Sequence, residues 1–161
     1  MNMNEKWFSK KLRSVFSIIH LRTFEASRLP DVPDLHAIVA RGLEFWIELK
    51  CVRSHDCLIP FRKGQPEWIE NYMHQGGIVF ILVIDQRANV AQLLVLDSPD
   101  DIRKIAQMKL RVAFYNFGHY TFRLSESACG GVERGLLVSL LRYFPTDSTQ
   151  GEFLKAILAQ S

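Results

Sequence analysis

The chain has 161 residues, 48% hydrophobic and 23% charged, the size and balance of one ordinary globular domain, which excludes disordered, fibrous and collagenous classes. Its net charge of +3 is modest but uneven, with eleven Lys/Arg against seven Asp/Glu in residues 1–63 and nine against ten in residues 64–161. The basic excess therefore lies in the first part of the chain, as a polyanion-binding surface requires.

Residues 5–15 alternate apolar and basic groups at helical spacing, which predicts an amphipathic helix whose outer face carries Lys6, Lys10, Lys11 and Arg13. The first sixteen residues place charges where a signal peptide has its apolar core, so no export signal is visible. Residues 17–24 (SIIHLRTF) read as a strand, followed by a loop with Pro30 and Pro33. The runs 35–40 and 43–50 flank Arg41-Gly42 and predict a β-hairpin with a two-residue turn. Residues 52–61 lack a period and read as a loop. Residues 63–75 (KGQPEWIENYMHQ) predict a helix with Pro66 in its first turn and Gly76-Gly77 as its stop.

Residues 78–84 (IVFILVI), the longest apolar run, fall far short of the ~20 residues of a membrane span and read with 90–96 as a pair of buried strands. Ser98-Pro99-Asp100-Asp101 predicts the start of a helix reaching Leu110. Beyond it, short strands are expected at 111–124, a helix at 131–144 and another at 152–159. Cys51, Cys57 and Cys129 are odd in number and unevenly spaced, which argues against a disulfide framework. The expectation is a cytoplasmic protein with no membrane partner, folded as one α/β domain whose core spans about 4–110 with a C-terminal extension over 111–161.

The hairpin gathers the chemistry. With Arg41-Gly42 as the turn, Asp34 lies opposite Leu49 and within one residue of both Glu48 and Lys50. Glu48 and Lys50 project from one face of a strand and Leu49 from the other. Two acids beside so apolar a strand repel unless a positive group stands between them. Lys50 can supply that charge, and so can a hard divalent cation such as Mg²⁺, which takes carboxylate oxygens, water and phosphate as ligands. Taken singly, a Pro-Asp or a Glu-x-Lys is an ordinary surface feature; the case rests on their convergence.

Pro33-Asp34, thirteen intervening residues and then Glu48-Leu49-Lys50 resemble the signature of the PD-(D/E)xK nuclease superfamily. Residues 18–50, with IPFRKGQPEWIENYMHQGGIVFILV after them, look like the core of the virus-type replication-repair nucleases (VRR-NUC) and of phage and archaeal Holliday-junction resolvases, over roughly residues 4–85. The resemblance implies a restriction-endonuclease-like fold, a central mixed sheet flanked by helices. It implies that Asp34, Glu48 and the Leu49 carbonyl bind catalytic Mg²⁺, with Mn²⁺ as a substitute, and that Lys50 orients the attacking water. Glu5 is the acid on the first helix that resolvase-like members contribute, or else a solvated helix-end carboxylate. Gln65 lies near the site in the group. Ile69 stands where exonuclease relatives have the tyrosine of Gln-x-x-x-Tyr, and Asp31 where many relatives have glycine.

The function expected is a metal-dependent endodeoxyribonuclease acting on branched DNA such as a Holliday junction, in a bacterial or phage-infected cell, with Lys10, Lys11, Arg53, Arg62 and Lys63 contacting DNA. The alternatives are a restriction, nicking or repair nuclease on duplex DNA, and a non-catalytic DNA-binding module of the same fold. Cutting two strands symmetrically needs two sites, so a homodimer is expected, with the apolar stripe of Val132, Leu136, Leu137, Leu140, Leu141 and Phe144 or the first helix at its interface. The same stripe would equally serve to cover the sheet. Cys51, His55 and Cys57 are too few for a structural zinc site, and Ser125, Ser127 and Ser139 lack the glycines of a nucleophile elbow.

Overall fold

The computed structural model describes residues 3–24, 31–125 and 129–160; Pro30 and Ser127 lie outside them. Helix α1 (Glu5–Val15) opens on Asn4, whose side chain accepts the Trp7 amide at 2.8 Å, and buries Phe8 and Leu12. Strands β1 (His20–Thr23), β2 (Leu35–Val39) and β3 (Leu43–Val52) form an antiparallel meander. Helix α2 (Gln65–His74) then carries the chain to β4 (Val79–Asp85), which pairs parallel to β3, and β5 (Val90–Val95) returns beside it. The short α3 (Asp101–Ile105) and α4 (Leu110–Phe117) precede β6 (Gly118–Arg123), which closes a six-stranded mixed sheet in the order β1-β2-β3-β4-β5-β6. Helices α5 (Cys129–Leu140) and α6 (Thr149–Gln160) complete the chain.

Helices cover both sides of the sheet. Phe8 and Leu12 of α1, Val132, Leu136 and Leu140 of α5 and Leu154 of α6 pack with Phe45, Ile47, Leu49 and Leu82 on one side. On the other, Ile69 of α2, Ile102 and Ile105 of α3 and Leu110 of α4 pack with Ile81 and Val83. Every residue of β4 is buried, which explains its unbroken apolar run: a strand covered on both faces has no polar side to show. Among the described residues no helix is long and apolar enough to cross a membrane.

Several expectations are corrected. The hairpin turn holds three residues, Ala40–Gly42, with Arg41 and Gly42 at φ 70° and 73°; the extra residue shifts the pairing by one, to Leu35 opposite Ile47. The strand read over 17–24 is confined to His20–Thr23. The helix expected from Ser98 to Leu110 starts at Asp101, whose carboxylate accepts the Asp97 and Ser98 amides, and ends at Ile105, beyond which the chain is tied to the 57–59 loop: the Ile59 amide donates to the Met108 carbonyl at 3.2 Å and the Leu110 amide to the Cys57 carbonyl at 2.9 Å. Residues 111–117, expected as strand, belong to helix α4. Leu110, Ala113, Phe114 and Phe117 recur at helical spacing, which here outweighs the strand preference of single aromatic residues. The helix expected at 131–144 ends at Leu140 in a 3-10 turn, and the last helix begins at Thr149 rather than 152. Residues 111–161, read as an extension, supply the sixth strand and a helix of the core. Val132, Leu136, Leu137 and Leu140 are buried against this chain's own sheet, so that stripe does not present an open interface.

One buried acid ties that helix to the rest. Glu133 accepts the amides of Ser17, Ile18 and Ile19 at 2.9–3.3 Å, which satisfies the chain between α1 and β1 where no strand partner does so. Glu133→Ala is expected to lower the unfolding free energy by about 3 kcal/mol in urea denaturation, because hydrogen bonds to a charged acceptor are the strong ones and their donors would stay half-buried without partners.

Candidate active site

The β2–β3 register decides the site. Continued by one residue it sets Asp34 beside Glu48, and the pleat sends Asp34, Glu48 and Lys50 to the face that α2 covers. Beyond Ile47 the edge of β3 has no strand partner among the described residues, and side chains take its amides instead. The Leu49 amide donates to Asp34 Oδ2 at 2.9 Å, and the Cys51 amide to the Glu5 carboxylate. Because a strand residue's N–H and C=O share one edge, the Leu49 carbonyl lies on this edge between the two acids.

Glu48 is fully buried and Lys50 nearly so. Lys50 Nζ stands 2.7 Å from Glu48 Oε1 and donates to Gln65 Oε1 at 2.8 Å, while Gln65 Nε2 donates to Glu48 Oε1 at 2.9 Å. Gln65, at the start of α2, also accepts the Arg62 amide, which anchors the loop that brings α2 back to β3. Gly64 makes that bend possible at φ 92°; a Cβ there would sit 2.6 Å from an Asp31 carboxylate oxygen. Phe61 roofs the lysine, its ring centre 5.0 Å from Nζ.

Burial pushes the Glu48 carboxyl up to about 7, with the Asp34 charge adding to the rise and Lys50 opposing it. Burial likewise raises Asp34, against the Leu49 amide and Lys50, and raises Glu5, against Lys50. Three acids thus share one region with more negative charge than its surroundings solvate. Glu48 Oε2, although buried, has no hydrogen-bond partner among the described residues.

That unmatched oxygen, with Asp34, the Leu49 carbonyl and Glu5 along the same edge, makes an all-oxygen donor set of the kind a hard divalent cation takes. The residues fit such an ion. Among the described residues no three His, Cys, Asp or Glu side chains are already gathered in ligand geometry, so a cation would draw on the backbone carbonyl and on water. An open cleft of about 400 Å³ adjoins the set, lined by Glu5, Lys6, Ser9, Thr23, Phe24, Asp34, Leu49 and Arg62.

The structure therefore brings Glu5, Asp34, Glu48, Leu49, Lys50, Gln65 and Arg62 to one place. Lys10 and Lys63 are exposed and Lys11 half-buried, none lining the cleft; Arg53 follows β3 and takes the Arg87 amide on its carbonyl, at the β4–β5 turn. Cys51 and Cys57 do not converge, since Cys51 Sγ lies 3.4 Å from the Met3 carbonyl and Cys57 Sγ 3.8 Å from Ser54 Oγ. Ser139 is fully buried against His119, away from solvent. Sequence reasoning put Lys6 on the basic face of the first helix but not at the site, although it stands next to Glu5, and it missed Phe24 and Phe61, of which Phe61 reaches Lys50 only through the path of a loop.

No protein-family model matches the chain, and no curated protein matches its sequence.

Proposed function

We propose that the chain is a metal-dependent endodeoxyribonuclease of restriction-endonuclease-like fold that hydrolyses phosphodiester bonds, structure-selective for branched DNA such as a Holliday junction, fork or flap. The observation that carries the reading is the buried Glu48 carboxylate, clamped on one oxygen by Lys50 and Gln65 and unmatched on the other, with Asp34 beside it at the edge of a cleft. A structural ion pair has no use for a second buried acid and an unmatched oxygen, both of which cost stability.

Asp34, Glu48 and the Leu49 carbonyl would hold Mg²⁺ or Mn²⁺, with Glu5 as a further ligand directly or through water. The chemistry a bound ion supplies is polarisation of the scissile phosphate and a lowered pKa of water at the site. Lys50, held in place by Glu48, Gln65 and Phe61, positions a water for in-line attack and offsets charge on the phosphorane-like transition state. Gln65 fixes the directions of both Lys50 and Glu48. Lys6 and Arg62, exposed at the cleft and without an ion-pair partner among the described residues, bind flanking phosphates. Symmetric resolution of a junction requires two chains, with α1 rather than the buried α5 stripe between them.

The test is incubation with labelled four-way junction, fork, flap, nicked and plain duplex DNA in Mg²⁺ and in Mn²⁺. Cleavage of branched substrates that EDTA stops is the expected result, with a dimer in sedimentation on junction DNA. Cleavage of plain duplex alone would move the reading to a restriction or nicking enzyme. Binding that survives EDTA without cleavage in either metal would make the chain a non-catalytic module.

A further inference from the structure

The edge strand β1 carries a feature that hydrolysis of a phosphodiester does not itself need. Its Phe24 amide donates to the Asp34 carbonyl at 3.3 Å, continuing the β1–β2 ladder by one residue, so Phe24, Asp34 and Glu48 form one row across the sheet. The next row holds Arg22, His36 and Trp46. Phe24 is 37% exposed on an edge strand, and it lines the same cleft as Glu5, Asp34 and Arg62. Its ring centre lies 5.1 Å from Trp46 and 6.4 Å from His36, and Trp46 in turn packs edge-on to Trp68 of α2 at 5.5 Å. The ring is thus backed by an aromatic layer; the exposed Arg22 stands two residues before it on β1, and the exposed Arg62 lines the same cleft. Beside this row, Glu44 pairs with His36 at 3.2 Å.

An exposed aromatic one strand spacing, about 4.8 Å, from a metal-binding carboxylate offers a flat face where the nucleotide next to the scissile phosphate must lie. Bases within a duplex cannot use such a face, because their own faces are stacked on neighbours. An unpaired base can, and aromatic side chains flanked by cations are how single-stranded nucleic acid is held without sequence preference. We propose that Phe24, backed by Trp46 and His36, is a stacking platform for an unpaired nucleobase beside the scissile phosphate, so that among branched substrates those with unpaired nucleotides at the point of cleavage, such as flaps, forks and tailed ends, are preferred. This rests on the nuclease reading for the identity of the ligand.

The experiment measures binding in EDTA, by anisotropy, to three DNAs: a blunt duplex, the same duplex with a thymine tail, and that tail with abasic residues at its first unpaired positions. The tailed duplex is expected to bind about tenfold more tightly than the other two and to quench tryptophan emission. Phe24→Ala removes the preference, while Phe24→Trp restores it. Thermal melting of the variants, with Phe24→Leu as an apolar replacement lacking the ring, separates stacking from misfolding. Equal affinity of the wild type for the three DNAs overturns the proposal, as does a tail preference that survives in a folded Phe24→Ala or Phe24→Leu. Tail preference without cleavage in Mg²⁺ or Mn²⁺ sinks the nuclease reading and leaves the platform standing.

Discussion

Glu48→Gln and Asp34→Asn are each expected to lower Mg²⁺-dependent cleavage by at least about 10³-fold while leaving the fold and DNA binding in place. Each change keeps the volume of the side chain and one oxygen. In Glu48→Gln that oxygen can still accept from Lys50 Nζ and Gln65 Nε2; in Asp34→Asn it can still accept the Leu49 amide. What is lost is one of the two charges that hold the cation. Lys50→Ala is expected to cost about 10²–10³ in kcat, the usual loss when one preorganised charge is removed from a reacting centre, and to leave metal binding detectable by calorimetry. Single-turnover cleavage of a labelled fork separates these effects. Turnover within tenfold of wild type by Glu48→Gln would show that the buried acid belongs to the packing and not to the reaction. Loss of metal binding in Lys50→Ala would mean that the lysine orders the carboxylates rather than acting on water.

In the metal-free protein, stability is expected to fall as pH rises from about 4.5 to 7, and Glu48→Gln is expected to remove that part of the fall. Glu48 has an ordinary value of 4.5 and is pushed up to about 7 in the fold. Between these values the native state holds a proton that the unfolded chain has released. Rising pH therefore favours unfolding, and the stabilisation present below 4.5 is gone above 7. The shift corresponds to about 3 kcal/mol. Asp34 and Glu5 are raised for the same reason and add to the slope in both proteins, so the difference between wild type and Glu48→Gln isolates Glu48. Urea denaturation in EDTA at pH 5 and pH 8 measures it. Parallel profiles would place the Glu48 carboxyl near its ordinary value and remove the electrostatic case for a cation. At pH 8, added Mg²⁺ is expected to restore stability to the wild type and not to the variant, since the ion binds only the folded site.

The sequence alone determined the local elements whose signals are local. The basic amphipathic helix at 5–15, the proline-started and glycine-stopped helix after Gly64 and the apolar strands around the Asp85–Asn89 turn all follow from spacing and from residues with special backbone preferences. Asp34, Glu48 and Lys50 were legible as a group for the same reason, because a hairpin joins them over few residues. The hairpin's register was not. One extra residue in the turn, with positive φ at Arg41, set Asp34 beside Glu48 rather than beside Leu49, and the energy that chose it comes from burying Leu35, Ala37 and Val39 on one side of the sheet. Tertiary packing also decided that Val132 to Leu140 cover their own sheet instead of a partner, and that Phe24 and Phe61 stand at the site. Those outcomes depend on contacts between residues far apart in the chain, and such contacts leave no period in the sequence. The raised carboxylates belong to this second group as well: two acids and a lysine can be read from the letters, but only the depth to which the sheet and α2 bury them makes their charge costly.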